Sequence, residues 1–338
     1  MDNILDIFND EAFSVVSMTN AINLVPNTWG KIGSMGLFVP QGVNTTDVGI
    51  EQENGTIVIL PSVTRGGPAT KNKSGKRKLQ KVTIPHFPLE DVVTAASIQG
   101  VRGHRGEGPL ETVMTVVNRK LRELKRKHDI TLEWLRAGAM KGIVLDADGT
   151  ELVNLFTLLG VTEKVVDFKL GTSTEDMKSK CTEISDHILL NLLGDTNTGV
   201  VALCGRTWFN KFTAHKSVKE AYAHQVGINP NRDDVSNGFN FGGITFMVYI
   251  GSAPNVGGVA KYFVKDDEAQ FFPVGTTDTF EEYNAPADMI EYANTLGLPF
   301  YASQELLKHG KGVEIYTETD PLPICRRPGV LVRGTTST

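Results

Sequence analysis

Residues 108–142 read GPLETVMTVVNRKLRELKRKHDITLEWLRAGAMKG. Apolar or small residues fall at Leu110, Val113, Val117, Leu121, Leu124, Leu132, Leu135 and Ala139, and His128 fills the slot between Leu124 and Leu132. Steps of three and four line one face of a helix. Pro109 suits the first turn, and Gly138 and Gly142 suit the end. Glu107 and Glu111 sit near the positive end of the helix dipole, while Lys and Arg crowd the later turns. Such a helix runs roughly 50 Å, against a mean length of about 11–12 residues in globular domains. It reads as a strut inside a mixed fold rather than a coiled coil, because its flanks are rich in Gly, Pro and β-formers. Asp129-Ile130-Thr131 is the place where a bend is expected.

Before the strut lie an arm and a hairpin. Residues 1–42 are too broken by Pro26, Gly30, Gly33, Gly36, Pro40 and Gly42 for long regular structure beyond a short helix over Asn3–Ser17. Leu24, Trp29, Ile32, Leu37 and Phe38 are nevertheless too apolar to be left in water. That surface must lie on the chain's own body or on a neighbouring subunit. From 43 to about 88 the chain makes a long two-stranded excursion. Strands are expected over Val48–Gln52 and Thr56–Leu60 with an Asn54-Gly55 turn, and RKLQKVTIPHFPL returns as a strand ending at Pro85. Acids dominate the first 60 residues, including Glu51 and Glu53. Residues 61–89 offer Arg65, Lys71, Lys73, Lys76, Arg77, Lys78 and Lys81 before the next acid. Opposite signs on adjacent segments favour pairing with protein. A solvated loop and a nucleic-acid loop are the competing readings; no aromatic interleaves the bases before Phe87, which weakens the second.

After the strut, GIVLDADGTELVN reads as strand, turn, strand. Asp146, Asp148 and Gly149 look like the start of a calcium loop, but Thr157 stands where the acid at the twelfth position is needed. Residues 174–310 then alternate short helices and strands. Met177, Cys181, Ile184, Ile188 and Leu192 make the buried face of one helix, capped by 173–176 and closed by Gly194. GVVALCG is a buried strand. A helix over Thr207–His224 carries Phe209, Phe212 and Val218, and PADMIEYANTLG is a short helix. The tail, GVEIYTETDPLPICRRPGVLVRG, is strand-like and is expected to return to the sheet near the strut.

No phosphate loop, nucleophile elbow, zinc-protease motif or dinucleotide fingerprint occurs. The histidines are mutually distant, and Cys181, Cys204 and Cys325 are isolated, as expected of buried, reduced, cytosolic thiols. No catalytic, cofactor or metal residue is expected. The net charge of −5 is unlike that of a dedicated DNA-binding domain. No apolar run reaches a membrane span and the N-terminus is not a signal peptide. Arms, a strut, a loop and a lobe without a reaction centre favour a protein whose function is geometric.

Six stretches, in this order, carry a resemblance over essentially the whole chain. They are MGLFVPQGVNTTDVGIEQENGTIVIL with RGG after it, IPHFPLEDVVTAASIQG, HDITLEWLRAGAMKGIVLDADGT, FNFGGITFMVYIG, FEEYNAPADMIEYANTLGLPFYA and DPLPICRRPGVLV. Together they resemble the major capsid proteins of tailed phages, the lambda-type protein E family. The resemblance implies an α+β fold of the Hong Kong 97 type. Its parts would be an N-terminal arm (1–42), an extended loop (43–88), a peripheral domain (89–173) holding the spine helix (108–142), an axial domain (174–310) and C-terminal strands (311–338) returning to the peripheral domain. It implies self-assembly through pentamers and hexamers into an icosahedral shell around double-stranded DNA, built in the bacterial cytoplasm and ending as the virion capsid. Inter-subunit contacts would fall on Leu24, Trp29, Leu37 and Phe38 of the arm and on Glu51, Glu53, Arg65, Lys71, Lys73, Lys76, Arg77 and Lys78 of the loop. A separate scaffold protein is expected, because the arm begins at once, together with a decoration protein and a portal. The DNA would be a non-specific neighbour. An encapsulin-like nanocompartment shell is the nearest alternative and an oligomeric enzyme the remote one.

Overall fold

The computed structural model describes residues 11–25, 30–53, 77–94, 97, 109–224, 238–254 and 257–337. The chain folds as two compact units. One gathers Met1–Val48, Thr83–Trp134 and Glu282–Pro323; the other gathers Gly49–Val82, Leu135–Glu281 and Ile324–Thr338.

The strut is one helix, Pro109–Lys141. Its apolar stripe buries Val113, Val117, Leu121, Leu124 and Leu132 with Val93, Val313 and Ile315 in the core of the first unit. Each such side chain contributes roughly 1.5–3 kcal/mol when fully buried. At Asp129–Thr131, where a bend is expected, the helix continues without a break. Lys125 Nζ lies 3.0 Å from the Asp129 carboxylate one turn on, both side chains are only 4% exposed, and the ammonium sits 3.9 Å above the Phe300 ring. The Thr131 hydroxyl donates back to the Lys127 carbonyl at 3.0 Å. The polar side chains of Asp129 and Thr131 are thus satisfied along the helix instead of breaking it. Gly142 ends the helix with φ +79°, and a Cβ there would come within 2.3 Å of the Phe156 ring.

The sheet under this part of the helix orders Tyr301–Leu306, Gly312–Thr319 and Phe87–Thr94, antiparallel throughout. A helix over Val15–Leu24 lies on its outer strand. Thr19 exchanges hydrogen bonds with Ala302 (3.1 and 3.3 Å), and the Asn23 amide donates to the Phe300 carbonyl at 2.8 Å. The arm is therefore more regular than its glycines and prolines suggest. Its helix runs further along the chain than the expected Asn3–Ser17, because Ser14 caps it and Met18 and Ile22, one turn apart, are both buried. A four-residue helix, Lys31–Ser34, follows. Its Ile32 and Gly33 amides donate to the buried Glu133 carboxylate at 2.6 and 2.9 Å.

Asp47–Glu53 and Arg77–Thr83 form the expected two-stranded ladder; the expected strand Thr56–Leu60 and the Asn54-Gly55 turn lie outside the described residues. The Thr83 hydroxyl donates to Asp47 at 2.7 Å and the Ile84 amide to the Thr46 carbonyl at 2.9 Å, which closes the ladder at its base. A further sheet sets Val39–Gly42 at the edge, beside Phe280–Asn284 and then Pro321–Cys325.

The second unit is built on a six-stranded sheet ordered Lys164–Asp167, Val332–Thr335, Ala269–Val274, Gly199–Cys204, Ile244–Val248, Phe239–Phe241. Its centre, Gly199–Cys204, runs parallel to Ile244–Val248 and antiparallel to Ala269–Val274. The helix Met177–Asn191 buries Met177, Cys181, Ile184 and Ile188 and is capped by Asp176, as the spacing predicts. The predicted Thr207–His224 helix is two, Arg206–Ala214 and Lys216–His224, with the break at His215. The His215 backbone is extended there. Its ring is buried, with Nε2 3.0 Å from the Thr172 carbonyl and Nδ1 accepting from the Ser217 amide. An aromatic core of Phe168, Trp208, Phe212, Phe246 and Phe271 fills the space below; Phe212 and Phe246 stack at 4.4 Å. The C-terminal strands serve three different sheets, with Gly312–Thr319, Pro321–Cys325 and Val332–Thr335 each in its own.

Candidate assembly surfaces

Apolar residues that the fold leaves in water mark the surfaces on which a geometric function would act. Helix Val15–Leu24 buries one face on the sheet, leaving Val16 and Leu24 (83% exposed) outward. Of the other arm residues, Leu37 is half-buried and Phe38 is only 6% exposed, so the chain itself covers Phe38. The backbones of Glu51, Glu53, Arg77 and Lys78 lie in the paired strands of the excursion. Trp29, Arg65, Lys71, Lys73 and Lys76 lie outside the described residues.

Two exposed apolar groups went unread in the sequence. At the end of helix Met177–Asn191, Leu189, Leu190 and Leu193 point to solvent. Leu189 and Leu190 stand one and two steps past Ile188, about 100° of turn each, so the spacing that buries Ile188 leaves them on other faces of the helix. The segment PADMIEYANTLG forms only a 3-10 turn, Ile290–Tyr292, rather than a helix. Asn294 at φ +61° and Gly297, packed against the Asn284 carbonyl, turn the chain too tightly for a second helical turn. Ile290 is consequently 94% exposed and Leu296 68%.

One group of polar side chains converges. His86 Nδ1 and Asp320 Oδ1 are 2.7 Å apart, and Glu318 joins them with donor atoms within 4.8 Å. Glu318 accepts from the Tyr316 hydroxyl (2.7 Å) and the Asp288 amide (2.8 Å). The carboxylates are buried while His86 is partly exposed. The donor set suits a divalent cation by type, but each carboxylate already has a proton donor from the chain. It works as a polar knot between the foot of the two-stranded excursion and the turn after Gly312–Thr319. Burial, reinforced by Glu318, pushes the Asp320 carboxyl up to about 6. In the long helix, burial and then Lys125 and Lys127 push His128 down to about 4, and its Nε2 lies 2.9 Å from the Thr317 hydroxyl. All three cysteines are buried and free. Burial pushes the thiols of Cys181 and Cys325 up to about 12 and raises that of Cys204, which removes them as nucleophiles at neutral pH.

The phage major capsid protein E family profile matches residues 14–336. The chain belongs to that family. It is 29% identical to the major capsid protein of Pseudomonas phage KPP10 over 95% of this chain and 96% of that one. Among solved structures, a prophage protein of E. coli CFT073 described as a capsid protein superposes with TM-score 0.61 at 13% identity, covering 96% of this chain and 99% of its own. The mature capsid of bacteriophage PhiM1 gives TM-score 0.50 at 13% identity over 89% and 85%. The fold is the mixed α+β fold of the Hong Kong 97-like capsid class.

Proposed function

We propose that this chain is the major capsid subunit of a tailed double-stranded DNA phage. Copies assemble through pentamers and hexamers into an icosahedral shell around the genome. The observation that carries this reading is the family match from residue 14 to residue 336, together with a phage major capsid protein alignable over nearly its full length. The role is structural, and the subunit performs no reaction of its own. A scaffold, a decoration protein and a portal complete the assembly, which takes place in the host cytoplasm. The outward Leu24, with Trp29 and Leu37, and the oppositely charged strands and loop of the excursion (Glu51 and Glu53 against Arg65, Lys71, Lys73, Lys76, Arg77 and Lys78) supply contacts between copies.

Negative-stain microscopy of the purified chain, expressed alone and with the products of neighbouring genes, tests the reading. Closed shells, tubes or rings of five and six subunits are expected. A stable monomer or dimer under every condition would overturn it.

A further inference from the structure

Strand pairing brings one imidazole and two carboxylates together from distant parts of the chain. Gly312–Thr319 runs antiparallel to Phe87–Thr94, with Glu318 opposite Pro88 and Thr319 opposite Phe87. One step further, the same register sets Asp320 opposite His86, and the two side chains meet at 2.7 Å, Nδ1 to Oδ1. Glu318 stands two residues before Asp320, the interval that returns side chains to one face of an extended chain. One ligand atom from each of the three lies within 4.8 Å of the other two. His86 follows Pro85 and precedes Phe87-Pro88, and the fixed φ of each proline limits the conformations open to that segment.

The charge in this cluster does not balance. Glu318 is 0% exposed and Asp320 4%. Glu318 has only neutral donors, the Tyr316 hydroxyl and the Asp288 amide. Asp320 has the His86 ring and the Phe87 amide. Among the described residues no lysine or arginine pairs with either carboxylate. Buried charges are ordinarily paired or bound to a metal, yet here two carboxylates share at most one imidazolium. Hydrogen bonds from the chain do not exhaust them, because an ionised carboxylate offers about four lone-pair sites. Those bonds instead fix the direction in which the oxygens face, as outer donors do around metal ligands. The His86 side chain is 41% exposed, so the cluster is open to solvent on that side alone of its three members.

We propose that His86, Glu318 and Asp320 bind one divalent transition-metal ion of the zinc type. Imidazole with carboxylate oxygens suits zinc, cobalt or manganese, whereas calcium and magnesium take oxygen ligands. Two carboxylates and a neutral imidazole offset the charge of the dication. Nδ1 binds the ion, and the proton it shares with Asp320 leaves to solvent. Donors on one zinc stand roughly 3.4 Å apart, so the His86–Asp320 pair opens slightly and Glu318 closes by side-chain rotation. Water completes the coordination from the His86 side. Without the ion the three side chains keep the hydrogen bonds given above, so metal can be stripped from the folded subunit. All three ligands belong to one compact unit of a single chain, and the site exists whether or not copies assemble.

The test uses the unassembled full-length subunit, stripped with EDTA and titrated with ZnCl2 and with CoCl2 by calorimetry and visible absorption. The expected result is one ion per chain, and a melting temperature that rises with metal and returns with EDTA. His86→Ala and Asp320→Asn each weaken binding by at least about tenfold, while His309→Ala, which removes an exposed histidine elsewhere, binds as wild type. Melting in EDTA checks the fold of each variant. X-ray absorption of the wild-type cobalt complex needs no variant and decides the matter if the substitutions unfold the chain: one imidazole nitrogen among oxygens, with no sulfur, is expected. Absence of saturable binding, binding undiminished in folded His86→Ala, or a cobalt shell without imidazole overturns the assignment. None of these results bears on shell formation, which microscopy reads separately.

Discussion

His128 and Asp320 titrate in opposite senses over one pH range. His128 falls from 6.5 to about 4 on folding, so the unfolded chain takes up a proton that the folded chain refuses. Its contribution to stability is complete above pH 6.5 and is lost as pH falls toward 4. Asp320 rises from 3.8 to about 6, so the folded chain holds a proton that the unfolded chain has released. Its contribution is complete below pH 3.8 and is lost as pH rises through 6. Each amounts to roughly 3 kcal/mol, and between pH 4 and 6 they nearly cancel. Substitution unmasks the partner. Relative to wild type, Asp320→Asn loses about 2 kcal/mol between pH 7 and 4.5, and His128→Gln gains about as much. Urea unfolding of the unassembled subunit at the two pH values measures both; parallel pH dependence in all three proteins would contradict the assignment. Neither residue announces this in the sequence. Periodicity places His128 on the apolar face, and the depressed value comes first from its burial in the packed fold and then from Lys125 and Lys127. Asp320 is raised by burial and then by Glu318, while His86, brought from 234 positions away, pulls the other way.

At the scale of elements, the long helix is the part most legible in advance, since thirty-three residues of unbroken spacing outweigh one polar triplet. The capped helix Met177–Asn191 and the strand Gly199–Cys204 follow from spacing in the same way. The misread elements failed for identifiable reasons. His215 breaks a helix because its ring has a better place against the Thr172 carbonyl, a contact 43 residues distant. The segment after Pro286 stops short of a helix because Gly297 and Asn294 turn it. The arm gains Lys31–Ser34 because Glu133, a hundred residues away, offers its carboxylate to two amides. Without that acceptor the amides lose their partner, and charge-assisted bonds of this kind carry about 1.5–3 kcal/mol each. Glu133→Ala therefore costs about 3 kcal/mol or more in urea unfolding. Glu133→Gln, which keeps one acceptor oxygen, recovers part of it. Equal stability of Glu133→Ala and wild type would show that the short helix stands without its anchor.

For the molecule as a whole, the family is legible in six ordered stretches spread along the chain, and the family match over residues 14–336 bears that reading out. The surfaces themselves were less legible. Sequence can show that Leu24 is apolar; it takes the packed helix to show that this leucine faces outward while Ile22 faces in. The closed packing around Cys181, Cys204 and Cys325 bears on the redox chemistry of the subunit. Exposed thiols could be welded to one another or scrambled by oxidants, whereas these three are buried, with acidities too weak to give thiolate at neutral pH. The covalent connectivity of the folded subunit is thereby insulated from its surroundings, and its melting is expected to be the same with and without dithiothreitol.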